Sequence, residues 1–300
     1  MMNLIYAVTF PHFYIPEHGA IPLANGGKGK IMQRGDKRAD DTSRKMQVWW
    51  NYGSHHPETH KNVESINRLH EHYAREFPDS FKHNEDYVYT LCYEAAGMHR
   101  LLLRLGLPGL TDKEKTAAVK YWANMATLFR NATTGAEVAG FPDTFDGIME
   151  YMDAHEARVI PRHQIGIDAT QAVLQQFAER YFPRRLHGFA RAWIISLYPE
   201  HILKAYELRP PHPLVTKALR AGTAAFFFLG EKVLPDPTTT YLERRQANDK
   251  KKLQAGTTPV IGNKSTPAAS VCPHLRLENG PHESLEDLDQ SQAATPSRNG

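Results

Sequence analysis

All 30 Phe, Tyr and Trp residues of this 300-residue chain lie at or before Tyr241. Aromatic side chains bury the largest apolar areas, so the core has to be built from that part. From Leu242 onward the sequence runs through ERRQANDKKK and GTTPVIGNKSTPAAS, a mixture of charged, small and turn-forming residues. Such a stretch cannot bury enough apolar surface to offset the entropy of ordering it. Near the start, ANGGKGK at Ala24 to Lys30 lacks the Ser or Thr after Lys that a phosphate-binding loop needs, and reads as a flexible loop. The chain is therefore expected to divide into an irregular N-terminal segment over 1–30, one globular domain over 31–245, and a disordered tail over 246–300.

Inside the globular part, apolar residues recur at helical rather than strand spacing. Val63, Ile66, His70, Tyr73 and Phe77 follow one another at three, four, three and four, which makes a single apolar stripe. A helix over 84–105 is closed by GLPGL, where Gly106 and Pro108 supply the stop. Thr111 opens T-D-K-E, a capping box for a helix running to about Phe129. Further helical runs fall near 143–155, 163–181, 187–206 and 214–233, separated by prolines. The fold class this predicts is all-α, a single multi-helix globular domain.

Several function classes drop out. A net charge of +3 with both signs mixed argues against a nucleic-acid partner. Two cysteines, Cys92 and Cys272, give no disulfide framework and suit a reducing compartment, with Cys92 read as core packing. No apolar run reaches the roughly 18 residues of a transmembrane helix, and MMNLIYAVTFPHFYIP has neither the basic start nor the cleavage site of a secretory signal. P-loop, dinucleotide-turn and nucleophile-elbow motifs are absent. Of 16 histidines, His56 and His60 have zinc-like i, i+4 spacing, but Pro57 between them marks a helix start and no carboxylate pair accompanies them. Cys272-Pro273-His274 reads as incidental.

Arg38 and Thr42, four apart, share one helical face as a cation and a hydroxyl, a pairing suited to a small polar ligand. The plainer alternative is an Arg38 surface ion pair with Asp36 or Asp41. His70, inside its apolar stripe, reads on residue chemistry alone as a hydrogen-bonded core histidine.

The blocks KRADDT (Lys37 to Thr42), INRLHEHY (Ile66 to Tyr73), NEDYVYTL (Asn84 to Leu91) and LGLPGLTDKEKTAAVKYWANM occur in an order and spacing that resembles the rubber oxygenase (latex clearing protein) catalytic-domain family. The pattern is most similar to its fungal branch, the ER-bound oxygenases of mycophenolic acid biosynthesis. The resemblance implies a helical domain enclosing a haem b, with His70 as the axial iron ligand and Arg38 and Thr42 as catalytic groups on the oxygen side. It implies an oxidoreductase that uses molecular oxygen for oxidative C=C cleavage of a small, unsaturated, apolar isoprenoid or polyketide in secondary-metabolite biosynthesis. The implied location is cytoplasmic or peripheral to the ER membrane, with peripheral membrane contact but no span. One departure stands out. The family has an acid upstream of the Arg; the matching region here reads IPEHGAIPLANGGKG, and its carboxylate, Glu17, has the wrong spacing. A helical protein that binds haem or lipid without turnover, and a hydroxylase or oxidative rearrangement enzyme on the same scaffold, are the alternative readings.

Overall fold

The computed structural model describes residues 2–233 and isolated positions between 235 and 251. Among the described residues the regular structure is entirely helical. In chain order the α-helices are α1 Met2–Thr9, α2 Glu17–Ala24, α3 Lys30–Gln33, α4 Gly35–Tyr52, α5 Pro57–Glu76, α6 Asn84–Arg104, α7 Asp112–Ala126, α8 Phe145–Glu156, α9 Gln164–Tyr181, α10 His187–Leu197, α11 Glu200–Ala205 and α12 Pro213–Lys232.

Local chemistry sets most boundaries. α6 ends where Gly106 takes φ +74°, a conformation costly for residues with a Cβ. α7 begins at the expected capping box, with Thr111 Oγ1 accepting from the Glu114 amide and Glu114 accepting from the Thr111 amide. His56 caps α5, its Nδ1 accepting from the Glu58 amide at 3.1 Å, while His60 Nε2 bonds the Ser54 carbonyl at 3.0 Å. Those two histidines serve a helix start, not a metal. Cys92 is buried, and burial pushes its thiol up to about 12, so it is inert packing.

Two expectations are corrected. The N-terminal segment is not irregular. α1, a 3₁₀ turn over Phe10–Tyr14 and α2 fill most of it. Tyr6, Phe10 and Tyr14 recur at i, i+4 and i+8 and are all buried, which the glycine-rich loop and the nearby prolines masked in the sequence. The expected single helix over 187–206 is two, because Pro199 cannot continue α10 and instead leads into α11. The remaining part of the expected tail, residues 252–300, lies outside the described residues, as do Cys272 and His274.

The buried residues form two clusters. One joins α1, α9, α10 and α11 through Tyr6, Phe10, Tyr14, Leu174, Phe177, Ile194 and Ile202. The other joins α5 to α8 through Val63, Val88, Leu91, Trp122, Met125, Ile148 and Met152. α4 and α6 take part in both: Ala39 and Leu101 belong to the first, Trp49 and Val88 to the second. Phe13 packs against each cluster. Side chains on the inner faces of α4 and α6 thus fall between two apolar masses, and the candidate site is there.

Candidate active site

α4 carries Arg38 and Thr42 on one face. The Arg38 guanidinium lies 4.7 Å above the Phe10 ring and donates to Thr42 Oγ1, while Thr42 Oγ1 donates to the Arg38 carbonyl at 2.9 Å. The surface ion-pair alternative fails. Asp36 accepts from Gln176 Nε2 at 2.7 Å and pairs with Arg180, and Asp41 faces Lys30 and Lys37. Arg38 has no carboxylate partner among the described residues, so its charge is met by an aromatic face and a hydroxyl.

α5 carries His70 on the inward stripe, with the Phe81 ring at 5.2 Å and the Tyr87 ring at 6.2 Å. Burial and, secondarily, the Arg38 charge together lower its pKa to about 4. The imidazole is neutral near pH 7. Its Nδ1 is buried without a partner, and neither ring nitrogen makes a hydrogen bond among the described residues. That differs from the hydrogen-bonded core histidine that residue chemistry alone suggested, because buried polar atoms are normally paired. The Tyr6 hydroxyl is buried and unpartnered as well, its pKa pushed up to about 12 by burial against an opposing pull from Arg38. Arg38, Thr42, His70 and Tyr6 therefore form one neighbourhood, drawn from α1, α4 and α5. His72 faces elsewhere, with Nδ1 3.4 Å from Arg75. Glu17, the nearest candidate for an upstream acid, is exposed in the first turn of α2.

A second polar constellation was not legible in the sequence, since its members are far apart along the chain. His12, Glu156 and His201 offer ligand atoms within 4.8 Å of one another. Together with Tyr93, Arg100 and Arg104 they line a cavity of about 10 Å³, room for one water. The donor types suit a metal, but the charges do not. Glu156 accepts from both Arg100 terminal nitrogens at 2.9 and 2.8 Å, and from the Tyr89 hydroxyl at 2.9 Å. His201 Nδ1 is 3.4 Å from its other oxygen. Arg104 adds a second guanidinium, bonded to the Leu197 carbonyl. A divalent cation would share a low-dielectric pocket with two positive groups, so the cluster is read as a buried ion-pair network. Burial first, and the arginine charges after it, keep both imidazoles neutral, His201 at about 4 and His12 well below its ordinary value.

Residues 27–227 match the family model described as "ER-bound oxygenase mpaB/B'/Rubber oxygenase, catalytic domain". The chain belongs to this family. The match spans all of α4 to α11, and so includes Arg38, Thr42 and His70. Membership makes the chain an oxidoreductase of the oxygenase type, and the all-α architecture expected of it is present. No curated protein matches the sequence. No described helix is long and apolar enough to cross a membrane.

Proposed function

We propose that this mpaB/rubber oxygenase family member is a haem b-dependent oxygenase that uses molecular oxygen to cleave a C=C bond in an unsaturated, apolar isoprenoid or polyketide of secondary metabolism. The observation that carries the reading is His70, a neutral imidazole held between aromatic rings with no protein partner for its ring nitrogens. The donor chemistry fits a haem. A neutral ring nitrogen is what an axial ligand requires, and an apolar bed is what a porphyrin requires. Bound haem would supply the iron at which oxygen is activated.

The chain's own residues would do the following. His70 would bind iron through a ring nitrogen. Iron-ligating imidazoles are usually held by an acceptor on the other nitrogen; Nδ1 has none among the described residues, so packing against Phe81 and Tyr87 would support the ring instead. Arg38 would hydrogen-bond electron-rich oxygen, being always protonated and without a competing carboxylate. Thr42 would hold the guanidinium in place, and the two core clusters would exclude water. α12 exposes Phe226, Phe228 and Leu229 among the described residues, which supports peripheral contact with a membrane such as the ER surface, where apolar substrates partition.

The exposed position of Glu17, leaving no upstream acid, favours a second reading in which the domain binds haem or a lipid-like ligand without turnover. One experiment separates them. Protein expressed with added haem is examined for a Soret band, then incubated aerobically with isoprenoid and polyketide intermediates under labelled oxygen. Two labelled carbonyl products support C=C cleavage, a single labelled hydroxyl means hydroxylation, and a Soret band without products favours the binding protein. Absence of any Soret band rejects the haem reading.

A further inference from the structure

α12 turns an apolar side outward. Its inner side is pinned to α10 by polar groups: the Trp193 indole donates to Thr223 Oγ1 at 2.8 Å, and Arg220 Nε donates to the Ser196 carbonyl at 2.7 Å. On the outer side Leu214, Ala218, Ala221, Ala225 and Leu229 recur at four, three, four and four, and all are exposed. Val215 and Phe226 flank that row on one side and Phe228 on the other. Leu214 is 68% exposed, and Phe226, Phe228 and Leu229 are 52%, 51% and 49% exposed, so the described residues leave the face open. The two bonds to α10 also fix how the helices pass. Trp193 precedes Ser196 while Thr223 follows Arg220, so they run antiparallel. Phe189, one turn before Trp193 and half exposed, is therefore carried toward the Phe226 end of α12. The result is an open apolar strip on a helix of 20 residues, about 30 Å long. A surface helix of a globular protein ordinarily shows the reverse, apolar inward and polar outward.

The charges bordering the strip are of one sign. Residues 182–199 and 208–230 contain no Asp or Glu but carry six Arg or Lys. Of these Arg184, Arg185, Arg209 and Lys217 are exposed and make no ion pair among the described residues. The acids next in sequence are engaged elsewhere, Glu200 with Lys204 at 2.7 Å, Glu207 with Arg162 at 2.8 Å and Glu231 with Lys232 at 2.6 Å. Such a rim does not suit a second copy of the chain, because a two-fold contact through this face would set the same cations against each other. It suits an anionic bilayer, whose acyl boundary takes the apolar row and whose headgroups take the cations. We infer that α12 is a lipid-docking helix: its face from Leu214 to Leu229, extended by Phe189, sinks into the headgroup boundary of a negatively charged bilayer, where Arg184, Arg185, Arg209 and Lys217 meet anionic headgroups. This rests on the membrane contact of the oxygenase reading and deepens it, naming the face that meets the bilayer and the lipid charge it requires.

Vesicle flotation with the full chain tests this, using phosphatidylcholine alone and phosphatidylcholine mixed with phosphatidylserine. The wild type should partition onto the mixed vesicles about tenfold more strongly than onto the neutral ones, and lose most of that excess as salt rises from about 0.1 to 1 M. Phe226→Ser combined with Leu229→Ser should abolish flotation, and Arg184→Gln combined with Arg185→Gln should lower it about tenfold. Trp50→Ser, which removes a ring exposed to the same degree on α4, should float as the wild type does. Equal partitioning of the wild type onto both vesicles, or none onto either, would overturn the docking helix without any variant. So would flotation kept by the Phe226 and Leu229 variant or lost equally by Trp50→Ser. A concentration-dependent dimer in light scattering that the Phe226 and Leu229 variant dissolves would give the face to a second copy, and overturn it as well. Flotation needs neither haem nor turnover, so the Soret band and labelled products judge the oxygenase reading separately.

Discussion

At the scale of single residues, the site is defined by what its polar groups lack. Among the described residues His70 has no acceptor and Arg38 no carboxylate, and both are in the apolar region between α1, α4 and α5. His70→Ala should abolish haem binding or shift the Soret band, while His72→Ala, which loses only an outer contact with Arg75, should leave the spectrum unchanged. Arg38→Ala should keep the haem and lose turnover by about a hundredfold or more, with Thr42→Ala milder in the same direction, because preorganised charge is worth factors of that order. Wild-type rates in both variants with haem confirmed by absorption would rule out an oxygen-side role. The histidines also predict an acid limit. His70, His155 and His201 are each lowered to about 4, and His12 and His99 are lowered too, so the unfolded chain takes up protons that the native rings refuse. Stability therefore falls as pH drops from about 6.5 toward 4. The raised carboxyls Glu94 and Glu156 act with the opposite sign, losing stability as pH rises, but the five lowered rings outnumber them. Thermal melts across pH 4 to 7 check the direction, and a melting temperature that rises on acidification would contradict it.

At the scale of elements, the N-terminal helix is a structural member. Tyr198 of the α10–α11 junction donates to the Ala7 carbonyl at 2.8 Å, and Tyr206, just after α11, donates to the Pro11 carbonyl at 2.6 Å. Both hydroxyls are deep, and each satisfies a carbonyl that the short N-terminal helices leave open. Tyr206→Phe removes the donor and strands the Pro11 oxygen, which should cost about 1–3 kcal/mol in denaturant melts. An effect below a few tenths of a kcal/mol would mean that water replaces the hydroxyl. Because Phe10 lies under Arg38, loosening α1 should also lower turnover more than haem content.

At the scale of the whole molecule, two apolar clusters linked by α4 and α6 make up the core of the described residues. The ion-pair network of Arg100, Glu156, His12 and His201 marks a second place where charge is buried, there satisfied from within the chain. Composition argues that the segment after Ala255, without one aromatic, adds nothing to either cluster. Truncation there should leave haem content unchanged and shift the melting temperature by less than about 5 °C. A larger drop would show that the segment packs on the domain.

The fold class and most helix limits were legible in the sequence, because periodicity, capping boxes and helix stops act over a few residues. The T-D-K-E cap at Thr111 and the stop at Gly106 formed as read, while of the stripe through His70 only Val63 is fully buried, the buried face of α5 being Thr59, Val63, Asn67 and Ala74. Arg38 and Thr42 were legible as a pair for the same reason, being one helical turn apart. The helicity of the first 30 residues was not, since Tyr6, Phe10 and Tyr14 need α9 to α11 to bury them. Nor was the convergence of His12, Glu156 and His201, or the unpartnered state of His70 Nδ1 among the described residues, because long-range packing alone decides which polar groups meet and which are left without a partner. Local spacing determined which side chains share a face, and tertiary structure determined what each face confronts.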